Sequence, residues 1–230
     1  MDADRSKIRL ALSILPLLLS TAATAADPTT SKPEPERVRI AVFNVWELGR
    51  DKLDRVDHRG RGIHPQLRGA AEIVQRLRPD VLLINEIDHD PAGENARLFV
   101  ERYLKVSQGE GLEPITYPHR FFAPVNTGVP TGHDLDDDGT ADGPGDAYGY
   151  GRYPGQYGMA LLSRHPIDAG AARTFRTLRW REVPGNLLPD GSGDKPAWYG
   201  DEEAAILRLS SKSHWDVPVR IAGRVVHLLA

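Results

Sequence analysis

Three observations on the early part of the chain predict an α/β fold. VRIAVFNV, residues 38–45, carries Val38, Ile40 and Val42 on one face and Ala41, Phe43 and Val45 on the other, which is the pattern of an internal strand buried on both sides. Leu67, Ala70, Ala71, Val74 and Leu77 then recur at helical spacing. A second apolar run, Val81 to Ile84, follows at once, so the order is strand, helix, strand.

With 40% hydrophobic and 27% charged residues, the 230-residue chain can bury a core in one large domain. Its formal net charge of -3 excludes a general basic surface for long nucleic acid and leaves only a local patch open. No cysteine is present, so there is neither a disulfide framework nor a thiol nucleophile or ligand.

The first 26 residues read as a secretory signal: Arg5, Lys7 and Arg9 precede the apolar run LALSILPLLLS, and Ala23-Thr24-Ala25 offers a cleavage site. The run is too short to span a membrane, so the protein is expected to be secreted or periplasmic with no stable membrane span. Residues 27–37, DPTTSKPEPER, form a Pro-rich linker, and the folded domain is expected over residues 38–230.

The remaining elements follow in order. Pro65 suits the first turn of the helix that Pro79 ends, and Asp90-Pro91 suits the start of a second helix with Ala92, Ala96, Phe99 and Tyr103 on one face. Strands are expected over residues 120–125, 158–163 and 205–210. DVPVRIAGRVVHLLA reads as a hairpin turning near Ala222-Gly223. Between the third and fourth expected strands lies a Gly-rich and Asp-rich loop, residues 126–157, too long for a neutral connection. Its Tyr148, Tyr150, Tyr153 and Tyr157 suit either a substrate cleft or loop packing.

Part of that loop has calcium-binding spacing. Asp134, Asp136, Asp138 and Asp142 occupy relative positions 1, 3, 5 and 9, Gly139 sits at 6 and Thr140 at 7. The usual Glu at position 12 is replaced by Gly145, with Asp146 one place later. A solvated acidic surface is the competing reading. Arg164, Arg173, Arg176, Arg179 and Arg181 form a basic run, suited to phosphate contacts or to a solvated strand face.

Two strands end on polar groups, Asn44 after VRIAVF and Glu86 in RPDVLLINEID. A carboxylate at the end of an apolar strand needs a partner, an arginine or a metal ion, because leaving it unpaired in the core costs several kcal/mol. Taken together, FNVWEL (43–48), RPDVLLINEID (78–88) and YGMALLSRHPID (157–168) resemble the endonuclease/exonuclease/phosphatase superfamily, the metal-dependent phosphoesterases that include DNase I-like nucleases and neutral sphingomyelinases. SSKSHWDVPV (210–219) further resembles a secreted bacterial branch.

The resemblance implies a four-layer α/β sandwich, a catalytic Mg2+ or Mn2+ bound with the help of Asn44 and Glu86, and a phosphoester substrate: nucleic acid, nucleotide or phospholipid headgroup. Asn85 stands where the family commonly has Gln. The family's later His, its Asp-x-Asn pair and its final Asp-His are not matched before Ala230, and His89, His119, His165, His214 and His227 are not promoted in their place. The chain is therefore expected to be a C-terminally truncated domain, inactive by itself. A non-enzymatic secreted calcium-binding module, with Ca2+ in the Asp loop, is the alternative.

Overall fold

Val81 and Leu83 point one way from a strand whose Leu82 and Ile84 point the other, and this alternation organises the fold. The structure, a computed structural model, describes residues 37–189 and 197–230. The signal sequence read in residues 1–26 and all but the last residue of the linker lie outside the described residues.

In chain order the elements are β1 (Ile40–Leu48), α1 (Arg50–Leu53), α2 (Pro65–Leu77), β2 (Val81–Ile87), α3 (Glu94–Phe99) continuing into a π-helical turn (Val100–Leu104), β3 (His119–Phe121), β4 (Met159–Ser163), β5 (Arg173–Thr174), α4 (Asp201–Ile206), β6 (Trp215–Ile221) and β7 (Arg224–Leu229). One sheet has the order β1-β2-β4-β3, with β1 and β2 parallel and the other pairs antiparallel. The second sheet, β5-β6-β7, is antiparallel throughout.

Leu82, Ile84, Ala160 and Leu162 pack with Leu67, Ala71 and Val74 of α2 and with Phe99 and Tyr103. On the opposite face Val81, Leu83, Met159 and Leu161 meet Trp215, Val217, Val219 and Ile221 of β6, where Phe121 and Trp215 make an edge-on contact with centroids 5.1 Å apart. The fold is thus mixed α/β with two sheets, helices on one side of the first sheet and the second sheet on the other. Each fully buried Leu or Ile in these two cores contributes about 1.5–3 kcal/mol. No helix among the described residues is long and apolar enough to cross a membrane.

Four expectations need correction. β1 is an edge strand, with Ile40 51% and Val42 66% exposed, because the cluster under the second sheet draws on β2, β3 and β4 but not on β1. The second helix begins at Glu94 rather than Pro91, since the Asp90 carboxylate accepts from the backbone N–H groups of Glu94 (2.7 Å) and Asn95 (2.9 Å) and so fixes the start one turn later. The strand expected at residues 120–125 shortens to His119–Phe121, before Pro124. Residues 205–210 hold the end of α4 and an isolated bridge from Arg208 to Arg179: Asp201, Glu202 and Glu203 in the first turn suit a helix N-terminus. The hairpin turn does fall at Ala222 and Gly223, both with positive φ (49° and 75°), the geometry of a two-residue type I′ turn.

Candidate functional site

The register of β1 against β2 slips at the end of the strands. Asn44 pairs with Asn85 and Leu48 with Ile87, so Val45, Trp46 and Glu47 stand opposite Glu86 alone. The chain absorbs the extra residues through left-handed backbone at Trp46 (φ 50°), Glu47 (φ 55°) and, across from them, Glu86 (φ 63°). Such conformations cost about 1–3 kcal/mol each for residues with a Cβ and persist where the surroundings impose them.

This bulge decides what Glu86 meets. Its Oε1 accepts from Asn44 Nδ2 at 2.7 Å and its Oε2 from the Glu47 backbone N–H at 3.3 Å. Asn44 Oδ1 accepts from the Trp46 backbone N–H at 2.9 Å, which fixes the amide with its NH2 toward the carboxylate. Glu86 is therefore held by an amide and a backbone N–H, not by an arginine, and Asn44 orients it.

Both glutamates open onto a cleft of about 380 Å³ that Trp46, Thr127, Tyr150, Tyr157, Ser211 and Lys212 complete. Trp46 and Tyr150 stand 66% and 60% exposed at its rim. Tyr157, another left-handed residue (φ 55°), donates its hydroxyl to Glu47 Oε1 at 3.1 Å, and burial together with that acceptor pushes its phenol up, so it stays a donor at neutral pH. Lys212 donates its ammonium to the Tyr157 carbonyl; burial pushes its pKa down and the Glu86 charge pushes it partly back. Alongside lies a second hollow of about 220 Å³ with Glu47, Asp51, Asp88, Arg152 and Tyr153. Burial raises the Asp88 carboxyl against hydrogen bonds from the Tyr153 hydroxyl (2.6 Å) and the Tyr157 N–H (3.2 Å).

The long loop contributes Thr127, Tyr150 and Tyr157 to the lining and holds Lys212 in place. Asn126, fully buried, donates its backbone N–H to Lys212 O (2.8 Å) and its Nδ2 to Ser210 O (2.7 Å) and Arg176 O (2.8 Å), while Arg208 donates to its Oδ1. Gly149 lies so close that a Cβ there would stand 2.0 Å from Ser211 O. The loop is a clamp for residues 210–212. Of its tyrosines, Tyr150 and Tyr157 line the cleft, Tyr153 serves Asp88 and Tyr148 lies under the Arg208 guanidinium, 3.7 Å from ring centroid to Cζ.

The acidic segment stands apart from that cleft's lining. Asp134, Asp136 and Asp138 bring carboxylate oxygens within 4.8 Å of one another. Thr140 donates its hydroxyl to Asp138 Oδ1 (2.8 Å), and Asp142 is exposed outside that group of three. Asp146 is buried, its two oxygens already taken by the N–H groups of Leu135 and Gly143 at 2.8 Å each, so it braces the loop. Burial and the charges of Asp138, Asp146 and Asp134 push the Asp136 carboxyl up.

The basic run does not reach the cleft. Arg164 pairs with Asp80 (3.1 Å), Arg173 with Asp216, and Arg176 with Asn126 (3.4 Å), while Arg179 and Arg181 are exposed. None of the histidines lines the cleft; His227 contacts Asp216 at 2.7 Å. Sequence reasoning missed Glu47, Thr127 and Lys212. The WE pair after the Asn and the lone Lys in SSKS were visible, but only the bulge and the clamp give them a common place.

No curated protein matches the chain. A crystal structure of an endonuclease/exonuclease/phosphatase from Beutenbergia cavernae DSM 12333 is similar at 20% identity and a TM-score of 0.37, over 84% of this chain and 37% of that one, so the chain spans little more than a third of that protein's length. The model of the Endonuclease/Exonuclease/phosphatase family, which comprises phosphoesterase- and nuclease-like hydrolases, matches residues 41–225, from the first strand of one sheet to the last strand of the other, and the chain belongs to this family.

Proposed function

We propose that the chain carries the metal-holding part of a secreted or periplasmic, divalent-metal-dependent phosphoesterase, with Mg2+ or Mn2+ at Glu86. One observation carries the reading: a carboxylate fixed on both oxygens by Asn44 and the Glu47 N–H, in strained backbone, at a cleft that the Lys212 ammonium also lines. The donor set fits a hard cation, because Mg2+ takes one or two carboxylates and keeps other positions for water and phosphate oxygens. Glu86 would hold the ion, with Glu47 on the same wall as the second carboxylate and Asn44 keeping Glu86 in place. When bound, the ion supplies Lewis-acid polarisation of a phosphoryl oxygen.

The chain's own groups do the rest of the holding. Tyr157 restrains Glu47, and the exposed faces of Trp46 and Tyr150 offer the organic part of a phosphoester an aromatic surface. Taking the proton of an attacking water is less well provided for, since among the described residues the cleft has carboxylates but no histidine. Residues 27–230 are accordingly expected to bind metal and show no measurable phosphodiester hydrolysis.

Mn2+ titration followed by electron paramagnetic resonance tests the reading, in the Asp136→Ala, Asp138→Ala background so that the acidic loop does not contribute. One site displaced by Mg2+ is expected. No saturable Mn2+ binding would remove the metal from Glu86. The three converging carboxylates favour a second, independent reading, Ca2+ held by Asp134, Asp136 and Asp138 in the exported protein.

A further inference from the structure

Trp46 leaves a large apolar ring in water on a tightly held backbone, at the cleft and next to Glu47. Its φ is left-handed (50°), its N–H donates to Asn44 Oδ1 at 2.9 Å, and its carbonyl accepts from Lys52 Nζ at 2.9 Å and Gln66 Nε2 at 2.6 Å. The same Lys52 sets its ammonium 5.2 Å from the centre of the indole ring, which steadies the side chain as well.

Tyr150 is constrained in a comparable way. It is exposed at the same cleft, between two glycines whose backbone is pinned: a Cβ at Gly149 would clash with Ser211 O, and one at Gly151 would stand 2.7 Å from Gly128 N. Neither ring packs on another aromatic ring among the described residues. Two aromatic rings left in water forgo the burial that would have stabilised the fold. Held as they are, they lose little further freedom when a flat partner settles on them.

Charge narrows the choice of partner. A quaternary ammonium such as a choline headgroup suits aromatic faces near carboxylates, but the indole already carries the Lys52 ammonium over its ring, and a second cation on the same π-system is repelled by the first. A neutral π-system meets no such repulsion. The base of a nucleotide stacks on an aromatic face whatever its identity, for about 1–3 kcal/mol.

We propose that Trp46 and Tyr150 form a stacking site for an unpaired base, so that the substrate of the cleft is a nucleotide or a single-stranded nucleic acid and not a phospholipid headgroup. The assignment rests on the phosphoesterase reading above, yet the site can be measured without metal or phosphate. Trp46 determines specificity: because it adjoins Glu47 in the chain, a base stacked on its ring brings the attached ester close to the glutamates.

The test uses the unmodified chain in EDTA with adenosine, which has a base and no phosphate, followed by saturation-transfer NMR. Saturable binding is expected. Trp46→Leu, which keeps an apolar side chain but offers no π face, should weaken it about tenfold, and Trp46→Phe should stay within about threefold of wild type. Tyr150→Leu, away from the bulge, should weaken it about fivefold. No saturable binding to wild type, or unchanged affinity in a Trp46→Leu or Tyr150→Leu chain that melts cooperatively, overturns the proposal, as does phosphocholine binding more tightly than adenosine.

A short oligodeoxyadenylate that displaces adenosine identifies a single strand as the source of the base, and one that fails to displace it identifies the free nucleotide. Mn2+ titration in the Asp136→Ala, Asp138→Ala background separates the two readings. Adenosine binding with no Mn2+ site would sink the metal assignment alone, and an Mn2+ site with no adenosine binding would sink the base site alone.

Discussion

Replacing Glu86 by glutamine keeps the volume and removes the charge. In the native arrangement Asn44 Nδ2 faces Oε1 and the Glu47 N–H faces Oε2, so both partners are donors. A glutamine amide has one acceptor. Whichever way it turns, its NH2 confronts a donor and one of the two hydrogen bonds is lost. For a half-buried site that loss is about 1 kcal/mol, which lowers the melting temperature of a domain this size by about 2–4 °C.

The effect on metal is larger. Unit charges 4 Å apart attract by about 4 kcal/mol at an effective dielectric near 20, and a dication would double this before solvent screening in an open cleft reduces it. A net loss of about 3 kcal/mol, or at least about 100-fold in Mn2+ affinity, is expected from Glu86→Gln. Calorimetric Mn2+ titration beside a thermal melt reads both quantities. Affinity within threefold of wild type, in a protein that melts cooperatively, would refute the reasoning and return Glu86 to a purely structural role.

Asn44→Ala should weaken Mn2+ about tenfold, less than Glu86→Gln, because the amide orients the carboxylate without carrying charge; an equal or larger loss would make Asn44 a ligand in its own right. Calcium at about 100 times its dissociation constant should add about 2.7 kcal/mol to stability, seen as a raised melting temperature, and Asp136→Ala with Asp138→Ala should abolish the increment; an undiminished shift would leave the loop a charged surface. Arg173 first and His227 second hold the Asp216 carboxyl below its usual range, so their stabilisation is present above about pH 4 and fades as pH falls through the lowered value; an acid melt of Asp216→Asn lacking that step is expected, and an identical acid limb would count against it. Gly149→Ala forces a Cβ against Ser211 O and should destabilise the domain by about 1–3 kcal/mol, seen as a lowered melting temperature, with an unaltered melt telling against the clamp.

What could be read from the sequence was what depends on neighbours along the chain. The helix over residues 65–77 followed from five apolar positions and two prolines, and β2 showed its two-sided burial directly as VLLI. The turn at Ala222 and Gly223 was equally local. β1 misled because VRIAVF has the composition of an internal strand, and only the sheet order reveals that nothing from the second sheet covers Ile40 and Val42. Asn44 and Glu86 stood out as polar residues closing apolar runs. Glu47 did not, since strict alternation cannot show that a bulge turns residues 45–47 toward one partner. Lys212 was hidden for a related reason: its place is set by Asn126, through hydrogen bonds joining residues 84 and 86 positions apart.

That clamp has a consequence for synthesis. The carboxylate wall and the helices behind it come from residues 40–104, a stretch that can pair and pack soon after it leaves the ribosome. The ammonium wall waits for residues 210–212 to meet Asn126, with the loop-closure entropy that such a separation entails. A nascent chain therefore carries its glutamates folded and facing water for the time needed to add more than a hundred residues. During that interval the left-handed turns at Trp46, Glu47 and Glu86 must hold without the tyrosines and lysine that later close over them. The cleft is completed only at that point, and a nascent chain released before residue 210 would present its two glutamates without the lysine that lines the finished cleft.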